Sequence, residues 1–186
     1  MHDYKKIRTG ETGVNKNGIP MVIKEYTNKR NVIVEFPSTG EIVRCEYSQF
    51  AKGSIKSHFS PSVYGVGIVG LETTKINGKI VKSYKTWSSL LERCYANKPN
   101  RNKTYVNCTV ADEWVYYSNF KKWFDENYYE IDNEKMELDK DILVKGNKIY
   151  SPEACVFVPH SINTLFIKSN TTRGKYPIGV NYKKEH

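Results

Sequence analysis

Asp139 and Asn163 are the two side chains of this 186-residue chain whose types and spacing best fit metal-assisted phosphodiester chemistry. Met136-Glu137-Leu138-Asp139-Lys140-Asp141-Ile142-Leu143 reads as a strand with an acid inside it, Gly146-Asn147 as a turn, and the run Ile149 to Val158 as a returning strand. After Pro159, His160-Ser161-Ile162-Asn163-Thr164-Leu165-Phe166-Ile167 has helical spacing, with Ile162, Leu165 and Phe166 on one face. The order is strand, loop, strand, helix. In such a ββα arrangement the end of the first strand and the start of the helix approach each other. A carboxylate at Asp139 and an amide oxygen at Asn163 could then share one hard divalent cation. Magnesium is the expected one, because it accepts a few protein oxygens and completes its shell with water and phosphate. There it would polarise a phosphate oxygen and stabilise the leaving group, while a base beside Asp139 activated water.

The same residues resemble the HNH (ββα-metal) endonucleases of phages and mobile introns. In that motif an Asp-His pair is followed by a loop, by Ser-Pro-x-Asn, by an aromatic-Val segment and by a helix bearing Asn or His. Asp139 falls on the metal-binding acid, Tyr150-Ser151-Pro152-Glu153 on the start of the second strand, Phe157-Val158 on the aromatic-Val pair and Asn163 on the helix ligand. Trp87, Leu91-Glu92-Arg93-Cys94-Tyr95, Asp112-Glu113-Trp114, Phe120 and Trp123-Phe124 resemble the helical lead-in, so the similarity runs over residues 84–168. Arg173-Gly174-Lys175-Tyr176-Pro177-Ile178-Gly179-Val180 resembles the linker and first strand of an AP2-type DNA-binding domain, which would be absent or cut off at His186. The resemblance implies a degenerate member. Lys140 stands where the family has its general-base His, and a lysine is ordinarily protonated at neutral pH and cannot take a proton from water. Beside Asp139 and Asp141 it is expected to be exposed and charged. Ala154 replaces the second-strand Asn that braces the family's site. His160, one helical turn before Asn163, could substitute as base or ligand, or could be a helix-start surface residue.

The elements that must position these groups are legible on either side. Residues 1–82 read as a basic β-rich domain, a small twisted sheet or barrel. Met21-Val22-Ile23, Asn31 to Phe36 and Glu41 to Cys45 alternate with turns at Asn17-Gly18, Thr27-Asn28-Lys29, Ser38-Thr39-Gly40 and Asn77-Gly78. Val32, Val34 and Phe36 are expected to face one side, Asn31, Ile33 and Glu35 the other. Gly65-Val66-Gly67-Ile68-Val69-Gly70 lacks dinucleotide-loop spacing and reads as a β connection. Residues 83–170 form the second expected domain, a helical lead-in plus the HNH-like ββα module, followed by the tail 171–186. Thr86 reads as an N-cap for a helix with Trp87, Leu90, Leu91, Cys94 and Tyr95 on one face. Trp114, Tyr117, Phe120, Trp123 and Phe124 form an aromatic stripe at core spacing on a second helix. The fold class expected is α+β.

The formal charge is +9. Residues 1–82 carry 13 basic and 7 acidic side chains, 83–135 carry 8 and 8, and 136–186 carry 8 and 5. A basic excess at both ends favours a polyanion, and double-stranded DNA is the partner expected first. Lys5, Lys6, Arg8, Lys29, Arg30, Arg44, Lys52 and Lys56 in the first domain, with Lys140, Lys145, Lys148, Lys168, Arg173 and Lys175 in the second, are the candidate phosphate contacts. Cys45, Cys94, Cys108 and Cys155 lie far apart without a Cys-x-x-Cys pair; they read as buried reduced thiols, and no zinc is expected. No apolar run approaches the roughly 18 residues of a membrane span, and Met1 to Lys6 leads into no signal-peptide region. The expectation is a cytoplasmic protein of an infected or lysogenic bacterial host, with no membrane partner.

Three functions fit these features. One is DNA binding by a weakly active or inactive HNH module. Another is an active magnesium-dependent homing-type endonuclease, with Asp139 and Asn163 on the metal and His160 or Lys140 assisting water. A third is a phage counter-defence protein (anti-CRISPR or anti-restriction) that binds a host nuclease or nucleoprotein complex. A plainer reading stays open beside them, in which Asp139-Lys140-Asp141 is a solvated strand end, Asn163 a helix-surface amide and the ββα unit a DNA-docking scaffold.

Overall fold

The computed structural model describes residues 8–97 and 105–166. The protein is of the α+β class and forms two compact units, Met1–Glu72 and Thr73–His186, dividing ten residues earlier than the expected boundary at 82. Among the described residues no helix is long and apolar enough to cross a membrane.

The first unit is an antiparallel meander in the order β1 (Thr12–Val14), β2 (Pro20–Asn28), β3 (Asn31–Phe36) and β4 (Glu41–Cys45). The two-residue alternation anticipated for β3 holds: Val32, Val34 and Phe36 are wholly buried, and they join Met21, Ile23, Cys45, Phe50 and Ile55 in the core. Asn15 braces the β1–β2 connection, its Oδ1 accepting from the backbone of Asn17 and Ile19 and its Nδ2 donating to the Ile55 carbonyl. A short helix, α1 (Tyr47–Ala51), follows β4. The buried Glu41 carboxylate accepts from Ser57 Oγ and from the backbone N–H and ring Nδ1 of His58. Burial opposes ionisation there, but these donors outweigh it and hold the carboxyl below its usual range.

Gly53 has φ +59°, and a Cβ there would lie 2.6 Å from the Val14 carbonyl oxygen. No side chain fits without moving β1. Gly53→Ala is therefore expected to cost the first unit about 1–3 kcal/mol through strain and close contact, read as a lowered urea midpoint.

The second unit opens with a hairpin of β5 (Lys75–Ile76) and β6 (Lys79–Ile80), closed by Asn77 and Gly78, both at positive φ. This is the tight turn that an Asn-Gly pair predicts. Helix α2 (Lys82–Tyr95) follows. It starts four residues before the expected cap: Val81 is the N-cap, and Thr86 lies inside the helix with its hydroxyl donating to the Lys82 carbonyl. Trp87, Leu90, Leu91 and Cys94 are buried, as the helical spacing requires. Strand β7 (Thr109–Val110) and a 3-10 turn (Asp112–Val115) lead to α3 (Tyr117–Asn127). Trp114, Tyr117, Phe120 and Phe124 of the stripe are buried core, although Trp114 sits in the 3-10 turn and not on the helix. Trp87 Nε1 donates to the Trp114 carbonyl at 2.7 Å, tying α2 to that turn.

The ββα unit is present with corrected bounds. β8 (Met136–Asp139) pairs antiparallel with β10 (Val156–Pro159), and α4 (His160–Phe166) follows at once. The expected strand over Ile149 to Val158 is two strands. β9 (Ile149–Tyr150) runs parallel to β7, and a turn at 151–154 containing Pro152 separates it from β10. The expected apolar face of α4 is not buried: Ile162 and Leu165 are 42% and 53% exposed. All four cysteines are buried and free of disulfides, and burial raises the Cys155 thiol to about 12.

Candidate functional site

β8 ends at Asp139 because of its own side chain. Oδ1 accepts the backbone N–H groups of Asp141 at 2.6 Å and Ile142 at 2.8 Å, turning the chain out of the strand. The strand anticipated to run on to Leu143 therefore stops four residues short. Oδ2 of Asp139 accepts no hydrogen bond from the described residues.

Lys140 is the main correction to the sequence reading. Its side chain is buried, only 3% exposed, and its ammonium donates to Asp141 Oδ2 at 2.6 Å and to the Asn147 carbonyl at 2.7 Å. The Tyr150 ring lies 5.9 Å away. Asn147 answers across the same loop, donating to the Lys140 and Ile149 carbonyls and accepting from Ile149 N–H. Lys140 is thus the clasp of the 140–149 loop. It is neither a surface cation for phosphate nor, while donating, a proton acceptor. Lys140→Met would leave an acceptor without its donor, and a loss of about 1–3 kcal/mol is expected in chemical denaturation.

Glu137 is the residue that sequence reasoning missed. It lies two positions before Asp139, hence on the same side of β8. Its Oε1 accepts from Lys135 Nζ at 2.8 Å and faces His160 Nδ1 at 3.1 Å, and its Oε2 accepts from Asn163 Nδ2 at 2.8 Å. Burial opposes ionisation, but the Lys135, Asn163 and His160 hydrogen bonds outweigh it and bring the carboxyl down to about 2. The carboxylate also orients both partners. It turns the Asn163 amide nitrogen inward and Oδ1 away, and it holds His160, 55% exposed, by Nδ1. In the neutral imidazole this leaves Nε2 as the acceptor.

Asp139 and Asn163 are both among the residues lining one open cleft of about 1050 Å³, and the carboxylate that Asn163 bonds is Glu137 rather than Asp139. The opposite wall is the polar face of α2, formed by Lys82, Lys85, Thr86, Ser89 and Arg93 at helical spacing. Lys82 pairs with Glu130 across the cleft. Arg93 stacks over Tyr105 at 5.5 Å and bonds Tyr150, whose hydroxyl burial pushes well above its usual range. This basic wall was legible as the complement of the buried Trp87-Leu90-Leu91-Cys94 face, and the sequence reading did not use it.

Asp139 Oδ2 and Asn163 Oδ1 are oxygen donors of the kind magnesium takes, without protein hydrogen-bond donors among the described residues. No group of three or more His, Cys, Asp or Glu side chains suited to a metal occurs among the described residues. A cation at Asp139 and Asn163 would therefore draw most of its shell from water or phosphate.

The expected phosphate contacts divide. Arg8 is used internally, 3.1 Å from Glu11 and 3.9 Å above the Tyr47 ring. Lys29, Arg30, Arg44, Lys52, Lys56, Lys145 and Lys148 are exposed. Lys5, Lys6, Lys168, Arg173 and Lys175, with the AP2-like segment, lie outside the described residues.

The Glu137 network makes stability pH-dependent. Its folded pKa of about 2 lies below the unfolded value of about 4.3, so its contribution is present above that unfolded value and is lost as pH falls toward 2. Glu137→Gln is expected to cost roughly 1–2 kcal/mol near neutral pH, and the gap should close on acidification. Thermal unfolding of both proteins across that range measures it. Comparison of the chain with protein families, with characterised proteins and with solved structures finds no match.

Proposed function

We propose that this chain is a DNA-binding protein built on a degenerate HNH-like ββα module, with nuclease activity weak or lost. The observation that carries the reading is the ordered unit β8–β10–α4, with Asp139 at the end of its first strand and Asn163 in its helix, both lining one cleft. On the facing α2 wall Lys82 is taken by Glu130 and Arg93 by Tyr150, and Lys85 is the cation offered to a phosphate backbone. Metal-assisted hydrolysis also needs a group that accepts a proton from water. At the expected place Lys140 is buried and donating, which supports binding over cleavage. Asp139 and Asn163 are the residues that would hold magnesium, which would supply polarisation of a phosphate oxygen.

One observation favours the active-nuclease reading as an alternative. His160, held by Glu137 through Nδ1, presents an exposed ring with Nε2 free to accept a proton. Nicking of supercoiled plasmid with magnesium or manganese separates the two. The expected outcome is DNA retention with nicking at or near background in the wild type. Robust nicking that disappears in both Asp139→Ala and His160→Ala would replace the binding reading by the catalytic one.

A further inference from the structure

The hairpin Lys75–Ile80 has little reason in the fold to exist as it does. All six of its residues are exposed, including Ile76 at 60% and Ile80 at 55%. Two-residue strands without a packed face are marginal in water, and exposed isoleucine on a strand edge invites association. The turn nevertheless fixes the shape, because Asn77 and Gly78 both adopt positive φ. A hydrogen bond from Val81 N–H to the Thr74 carbonyl sets the ribbon directly before α2. Between Glu72 and Glu92 the chain carries four lysines, Lys75, Lys79, Lys82 and Lys85, and no carboxylate. Lys82 is engaged by Glu130, whereas Lys75, Lys79 and Lys85 form no ion pair with the described residues.

The pairing gives this charge a direction. Lys75 faces Ile80 across the ribbon and Ile76 faces Lys79. Cross-strand partners share a face, so each face bears one lysine and one isoleucine and the two lysines point to opposite sides. A groove of duplex DNA presents a matching arrangement, with a phosphate rail along each wall and base edges on the floor. The major groove, about 12 Å wide, admits a two-stranded ribbon, and its thymine methyl groups take apolar contacts.

We infer that the hairpin Lys75–Ile80 enters the major groove of duplex DNA tip first, with Asn77 toward the bases, Lys75 and Ile80 turned to one wall and Lys79 and Ile76 to the other. This rests on the DNA-binding reading above and adds the element and the groove.

The test uses the full chain and a mixed-sequence duplex about three helical turns long, with affinity measured by fluorescence anisotropy over a salt series. Every substitution falls on an exposed residue, and circular dichroism checks the fold. Lys75→Ala/Lys79→Ala is expected to weaken binding about tenfold or more and to lower the slope of log affinity against log salt by about two, one for each phosphate no longer neutralised. The charge-neutral Ile76→Ser/Ile80→Ser is expected to weaken binding several-fold with the slope unchanged. Wild-type binding with both variants unaltered would overturn the hairpin assignment and leave the DNA-binding reading standing. Weakening in the lysine variant alone would put the hairpin on the outside of the backbone and refute groove entry. Failure of the wild type to bind the duplex at low salt would overturn both.

Discussion

The second unit depends on how Phe157 is packed. This β10 residue is 3% exposed, and its ring meets Trp123 at 5.4 Å, Phe124 at 5.2 Å and Tyr128 at 5.1 Å. Its carbonyl accepts from the Tyr129 hydroxyl. These contacts dock the β8–β10 pair onto the end of α3, and α3 is locked to α2 through Trp114, Tyr117 and Trp87. Aromatic burial is the largest favourable contribution per residue available to a small unit. A strand pair of four residues could not hold a register alone. The cleft between α2 and β8 has fixed walls because this cluster sets both.

Electrostatics then shapes what packing leaves open. Glu137 collects a lysine, a histidine and an amide at the junction of β8 and α4, and Asp139 commits one oxygen to ending the strand. Side chains that a motif comparison assigns to chemistry thus carry structural duties as well. The cleft that remains is lined by acids and bases together, Glu130, Asp132, Glu134, Glu137, Asp139 and Asp141 with Lys82, Lys85, Arg93, Lys135 and Lys140, so its charge is mixed.

Regular periodicity made much of this legible. The spacing of Trp87, Leu90, Leu91 and Cys94 and of Tyr117, Phe120 and Phe124 named the buried faces of two helices, and the alternation in Val32, Val34 and Phe36 named the inner face of a strand. The succession of strand, loop, strand and helix was readable too, because Asn and Gly punctuate the loop and Pro159 precedes the helix. Local competition for backbone groups was not. Asp139 ends its strand by capturing two amides, and Pro152 sits in the turn that splits the next. Lys140 reads as solvated between two acids because sequence gives charge but not neighbours, and its decisive partner, the Asn147 carbonyl, has no side-chain signature. Glu137 was within reach of a two-residue period counted back from Asp139.

The clasp formed by Lys140 makes two positions interdependent. Its ammonium closes the 140–149 loop on the Asn147 carbonyl, and the Asn147 amide donates back to the Lys140 carbonyl. A shorter or neutral side chain at 140 would meet a loop fitted to a long cationic one. A well-tolerated replacement there would take concerted change at 147, so the two residues are coupled in stability.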